Sequence, residues 1–435
     1  MTKPSHTFQP YRNIIQHIMK HITHTLRTLL CLAFAAWHGA VAAQTDRIYS
    51  PSIASLQVVA DDNWLSMPVM QLGSGSVMNI SFDDLTHEYH RYAYRLEHCG
   101  YDWTPSTQLL PSDYCKGFAD GNTIDDSEES INTTVLYTHY RLQIPNERCT
   151  PTISGNYRLT VYDDNSGDTA FVAHFLVAEP SVGISLSVST NTDIDINRRH
   201  QQVGMEINYG GLRVNDYRSE IKTVVLQNGC WHNAVRNATP QYIMRDGLKW
   251  SHNRSLIFPA GNEYRKFETL DPSHTTMGIE SVEWDGTRYH AYIWPDEPRP
   301  NYIYDEDANG YFYIRNSDNI ENDIASDYVL THFTLVTDRQ PGDVLISAKW
   351  TTDADADSYR MTYDDTRKCY YATLSLKQGY YSYRYLLQRS DGTLTTLPSE
   401  GDFYQTENQY QALVYYRPTG SRCDRLVGYK SVTIK

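Results

Sequence analysis

The 435-residue chain carries 38 Lys plus Arg against 52 Asp plus Glu, a formal net charge of −14. An acidic surface repels phosphate, which argues against nucleic acid and anionic lipid headgroups as partners. With 35 Tyr, frequent Thr and little Leu-rich helical periodicity, the composition points to sheet and excludes helix bundles.

The first predicted element is a leader. Lys20 and Arg27 precede the apolar run Leu29-Leu30-Cys31-Leu32-Ala33-Phe34-Ala35-Ala36-Trp37. Ala40-Val41-Ala42-Ala43-Gln44 follows, with small residues at the spacing a signal peptidase reads. The run is about half of what a bilayer crossing needs. Residues 1–43 are therefore expected to be a cleaved signal peptide, with Met19 as an alternative start. No Cys stands at a lipoprotein cleavage position, and no later run is long enough to span a membrane. Lys3, Arg12, Lys20 and Arg27 leave with the leader, which takes the charge from −14 to −18.

Three β units are expected after it, giving an all-β fold of three consecutive immunoglobulin-like or fibronectin-like β-sandwich domains over 44–178, 179–297 and 298–435. In the first, Tyr92, Tyr94 and Leu96 alternate with Ala93 and Arg95, the period of two of a strand. Further strands are expected at Ile53–Val59, Val77–Phe82, Thr138–Ile144, Asn156–Asp163 and Thr169–Ala178. Between them lies a polar excursion, Gly117–Thr134, longer than a sandwich needs. The second unit shows strands at Ile184–Val188, Gln202–Tyr209, Ile221–Gln227 and Ile279–Trp284, and Ala291–Trp294 ends it. Pro295, Pro298 and Pro300 mark a linker. In the third, Asn309-Gly310 predicts a hairpin between Tyr302–Tyr304 and Tyr311–Arg315. Strands follow at Val344–Thr351, Cys369–Leu376, Tyr380–Gln388 and Tyr410–Tyr416, with Tyr380, Tyr383 and Tyr385 along one sheet edge.

Six cysteines remain beyond Cys31, with no CxxC and no zinc spacing. Cys99–Cys115 and Cys369–Cys423 are each conceivable disulfides within one unit; buried single thiols compete with both. Asp305-Glu306-Asp307-Ala308-Asn309-Gly310 imitates the start of a calcium loop, but the twelfth position is Asn316 where a bidentate carboxylate is needed. Asp353, Asp355 and Asp357 alternate, as solvated loop carboxylates also do. Asp102-Trp103 reads as a sugar platform or, with greater weight, as a Trp packed in a core. No Gly-x-Ser-x-Gly, His-Glu-x-x-His or phosphate-binding glycine loop occurs. A triad of Ser127, His139 and Asp125 can be drawn, as it can in any chain with 16 His. Neither catalysis nor a cofactor is indicated.

Residues 88–162 combine Glu88-Tyr-His-Arg-Tyr-Ala-Tyr-Arg-Leu-Glu97, Gly117-Phe-Ala-Asp120, Ile124-Asp-Asp126 and Ser154-Gly-Asn-Tyr-Arg-Leu-Thr-Val-Tyr162. This stretch resembles the plug protein family of the type IX secretion system of Bacteroidota-type envelopes. Val224-Val-Leu-Gln-Asn-Gly229, Phe258-Pro-Ala-Gly-Asn-Glu-Tyr-Arg-Lys-Phe267, Leu376-Lys-Gln-Gly-Tyr-Tyr381 and Asp424-Arg-Leu-Val-Gly428 extend the resemblance through nearly all of the chain. Cys423 departs from a usual aromatic. The resemblance implies a non-enzymatic periplasmic plug that seals the giant outer-membrane translocon barrel when no substrate is engaged. It implies no cofactor, no nucleic acid and no direct membrane insertion. The partner-binding residues expected from its motifs are Gly117, Phe118, Asp120, Ile124, Asp125 and Asp126. The alternative is a periplasmic carbohydrate-binding or sensor β-sandwich module, which Tyr92–Glu97 with Asp102-Trp103 also resembles.

Overall fold

Alternation of apolar and polar residues makes nearly every described segment a strand, and the strands pair into facing sheets. A computed structural model describes residues 46–351 and 356–434; the expected leader and Asp353 and Asp355 lie outside the described residues. The helical segments are single turns such as Pro111–Tyr114, Tyr217–Glu220 and Asn322–Ala325. Among the described residues no helix is long and apolar enough to cross a membrane.

The first sandwich has one sheet in the order Arg47–Ile48, Thr169–Ala178, Gly155–Asp163, Tyr92–Cys99 and Asp120–Thr123. The facing sheet runs Ile53–Ala60, Met78–Asp84, Thr138–Ile144 and Asp126–Glu129. Inward residues of both, among them Phe82, Tyr140, Leu159 and Phe171, form its core. Phe82 stacks on Tyr140 with ring centroids 5.2 Å apart.

The other two sandwiches are interleaved in sequence. Arg265–Thr269 lies within the expected second domain but pairs with Gly379–Gln388. Tyr289–Ile293 likewise joins Tyr328–Val336. Conversely, Gln409–Tyr416 and Arg425–Thr433 return from the chain end to pair with Ile221–Gln227 and with each other. One core thus combines Val203, Leu248 and Trp250 with Tyr410, Val414 and Val427. The other combines Phe267 and Ile293 with Phe333, Tyr381 and Leu387. A boundary at 297/298 therefore cuts through shared sheets. Strand edges left open by a short local meander are filled by whichever distant strand buries its apolar face there.

Three local expectations are corrected. The segment after Trp294 is not a free linker: Asp296 donates its N–H to Thr334 O and accepts from Val336 N, both at 2.8 Å. Asn309-Gly310 turns the chain with positive φ at both residues, but no hairpin forms. Phe312–Ile314 pairs with the Gly379–Gln388 strand instead, while Asp305 is drawn to Lys266 Nζ at 2.6 Å. Gly379–Gln388 is a central strand rather than an edge. Tyr383 and Tyr385 share its inner face and donate to Asp296 Oδ2 at 2.8 and 2.7 Å. Tyr380 falls on the other face, near Trp64.

A fourth apolar cluster joins the first and second sandwiches. Cys99, Trp103, Leu176 and Ala178 pack with Val224, Leu226, Leu413 and Tyr415. Trp103 is 3% exposed and meets Trp231 edge-on at 5.4 Å, so it packs in an inter-sandwich core and presents no open sugar platform.

Candidate interaction site

The polar excursion after Cys115 is largely built into the sandwich. Cys115–Gly117 forms a two-stranded ribbon with Cys149–Pro151. Gly117 has φ +99°, and a Cβ there would lie 2.1 Å from the Arg148 carbonyl oxygen, so only glycine fits this approach. Phe118 N donates back to Arg148 O at 2.8 Å. Asp120–Thr123 then adds an edge strand to one sheet, against Ala93–Arg95. The chain crosses the open side of the sandwich and adds Asp126–Glu129 to the edge of the other sheet. Ile124 sits at that crossing, where its N–H donates to Tyr92 O at 2.9 Å and its side chain turns into the core, 2% exposed.

Phe118 is 72% exposed, a large apolar side chain held out by a glycine-pinned ribbon. Asp120 accepts from Arg95 Nε at 2.9 Å and from the Tyr162 hydroxyl at 3.0 Å. Asp125 accepts from the Thr123 hydroxyl at 2.7 Å and pairs with Arg148 at 2.8 Å. That hydroxyl, with Arg148 behind it, holds the Asp125 carboxyl below its usual range against some burial. Asp126 faces Arg141 at 3.6 Å. Four of the six expected residues thus face solvent or the rim, while Gly117 and Ile124 hold the backbone and the core.

Beside this crossing lies a cleft of about 870 Å³ whose walls include Asp61, Trp64, Asp125, Arg141, Arg148 and Tyr313. Trp64 stacks on Tyr313 of the third sandwich at 5.3 Å, and both rings line the cleft. Sequence reasoning missed Trp64, Arg141, Arg148 and Tyr313. Arg141 alternates with apolar residues like any strand surface, Arg148 sits in a polar turn between two strands, and Tyr313 arrives from a distant strand.

The chemistry of these walls is recognition by charge and ring faces. His139 gives Nδ1 to Asp83 at 2.6 Å, and no hydrogen bond joins it to Ser127, so the drawn triad does not assemble. Among the described residues no cluster of His, Cys, Asp or Glu is arranged to hold a metal. Asp307 binds the backbone N–H groups of Tyr264 and Asn309.

The model for the "Type 9 secretion system plug protein 1st domain" matches residues 53–179, the whole of the first sandwich from its second strand onward. A crystal structure of a hypothetical protein from Parabacteroides merdae is 40% identical, superposes with a TM-score of 0.87, and covers 90% of this chain and 99% of its own. The chain belongs to the type IX secretion system plug protein family. The C-terminal domain of the Streptococcus pyogenes antigen I/II-family protein AspA aligns over 90% of this chain and 99% of its own, at 8% identity and a TM-score of 0.17, which carries no argument about fold. No curated protein matches. Membership of the plug family gives the chain a role in type IX secretion, association with that system and a place at its envelope location. It also points to a non-catalytic protein.

Proposed function

We propose that this plug-family protein is a non-enzymatic stopper of the type IX translocon. It closes the periplasmic end of the outer-membrane barrel while no substrate is engaged. The observation that carries the reading is the plug-domain match over the sandwich that bears the Phe118 ribbon and the cleft. A pore wide enough for folded cargo leaks small solutes when idle, so it needs a stopper that keeps its shape. Loops at a sandwich end can be fitted to a rim without disturbing the core. On this reading the protein is exported by its cleavable leader, resides in the periplasm without inserting into the membrane, and needs no cofactor or metal. Gly117–Asp126 is the contact. Phe118 supplies an apolar anchor, and Asp120, Asp125 and Asp126 a polar rim.

Deleting the gene should raise outer-membrane permeability to large antibiotics only when the barrel is present. Unchanged permeability, or an equal rise without the barrel, removes the plugging role. If Phe118→Ala combined with Asp125→Ala leaves the purified complex with the barrel intact, the contact lies elsewhere on the protein.

A further inference from the structure

Cys115 and Cys149 lie on the two strands of the ribbon at the root of the Phe118 segment. Cys115 is opposite Pro151 and Cys149 opposite Gly117, so the two cysteines are diagonal neighbours on one face. Their sulfurs are 3.2 Å apart, and the residues are 2% and 0% exposed. Among the described residues no other cysteine sulfur has a sulfur partner. Cys99, which spacing also offers to Cys115, packs in the inter-sandwich cluster with Trp103.

We propose that Cys115 and Cys149 are joined by a disulfide in the exported protein, a cross-link that clips the base of the segment carrying Phe118. The physiological bond rests on the reading that this chain is exported to an oxidising compartment. Closing a gap of 3.2 Å to a bond of about 2.05 Å moves each sulfur by about half an ångström, within reach of small side-chain rotations.

The co-reactant is a disulfide carrier of the thiol–disulfide oxidoreductase class. Cys115 thiolate attacks one carrier sulfur, forming a mixed disulfide and releasing the carrier's other sulfur as a thiol. Cys149 thiolate then attacks the Cys115 sulfur and displaces the second carrier sulfur. The two protein protons end on the carrier as its dithiol, and two electrons pass from protein to carrier. Both sulfurs are buried once the ribbon has closed, so exchange occurs while it is still open. The closed ring spans residues 115–149 and encloses both edge strands, Asp120–Thr123 and Asp126–Glu129. It removes loop entropy from the unfolded chain and holds the Phe118 ribbon to Arg148 when a partner pulls on it.

The test is peptide mapping of the full chain, taken from the envelope of cells lysed into iodoacetamide. Trypsin with an aspartate-specific protease separates Cys99 from Cys115 and leaves Asp113–Lys116 and Cys149–Arg158 as fragments. The expected result is these two fragments linked, and released by reductant. A second sample is reduced and unfolded in urea, then refolded with oxidised glutathione. If the fragments stay unlinked in both samples, or if Cys115 or Cys149 is joined to another cysteine, the proposal is overturned while export stands. If glutathione links them but both are alkylated in the envelope sample, export to an oxidising compartment fails and the physiological bond falls with it.

Discussion

Asp83 and Lys377 are 294 residues apart in the chain and meet at 2.6 Å, with side chains 0% and 1% exposed. Asp83 also accepts from His139 Nδ1 and from the Tyr328 hydroxyl, each at 2.6 Å. Lys377 Nζ lies 4.1 Å over the Tyr137 ring and donates to Asp323 O at 2.5 Å. The cluster fastens the first sandwich to the third beside the cleft. Burial alone would raise the Asp83 carboxyl, but Lys377 and His139 outweigh it and the net direction is down. A depressed carboxyl contributes stability that is present above the ordinary aspartate range and lost as pH falls through its folded value. Lys377→Met should leave the buried carboxylate without the cation that lowers it most and cost about 3–5 kcal/mol in denaturant unfolding at neutral pH. Adding Asp83→Asn to that variant should recover part of the loss, which separates the unpaired charge from lost packing.

Asp327 performs a related task at the far end of the polar excursion. Its carboxylate accepts from Thr134 N at 2.8 Å, the Thr134 hydroxyl at 2.7 Å and Val135 N at 3.0 Å. Asp327→Ala should free those donors at a cost of about 1–3 kcal/mol. Hydrogen exchange should show the loss locally, as faster exchange at the Thr134 and Val135 amides with strand Tyr92–Cys99 still protected.

Asp307 titrates in the opposite sense. Burial pushes its carboxyl up to about 7, against the bonds from Asn309 N and Tyr264 N. A raised folded value favours the fold below the ordinary aspartate range, and that contribution is lost as pH rises toward 7. Asp307→Asn, which keeps an acceptor and removes the charge, should flatten the fall in stability between about pH 4 and pH 8. The flattening should be no more than about 4 kcal/mol. A pH series of urea unfolding on both proteins measures it; parallel curves would contradict the assignment.

Cys230 should be the fastest thiol in the folded protein. It is half-buried, while the other five cysteines among the described residues are buried. Lys349 Nζ and Arg384 Nη2 lie 3.8 and 3.7 Å from its sulfur. Burial raises this thiol, yet the two cations carry it below its ordinary value. Timed alkylation with iodoacetamide followed by peptide analysis should label Cys230 first. Lys349→Met should slow that labelling about tenfold for each pKa unit restored.

The alternation of Tyr92, Tyr94 and Leu96, and of the residues in Thr138–Ile144 and Thr169–Ala178, is a local property. These strands are legible in the sequence because period-two burial is written residue by residue. The same holds for the all-β class. Partner choice is not local. Arg265–Thr269 and Gln409–Tyr416 are ordinary strands whose sheets depend on which distant edge can bury their apolar face. Ile124 reads as an available anchor in a polar loop, yet it enters the core because the chain crosses there between two sheets. Cys115 is drawn to Cys99 by sequence spacing, but ribbon register places its sulfur against Cys149. Asp83, Lys377, Trp64 and Tyr313 carry no motif at all. Composition and periodicity determined that this chain makes sandwiches. Only long-range packing, which pairs residues by complementary burial and charge rather than by separation along the chain, decided how they interlock and which side chains line the cleft.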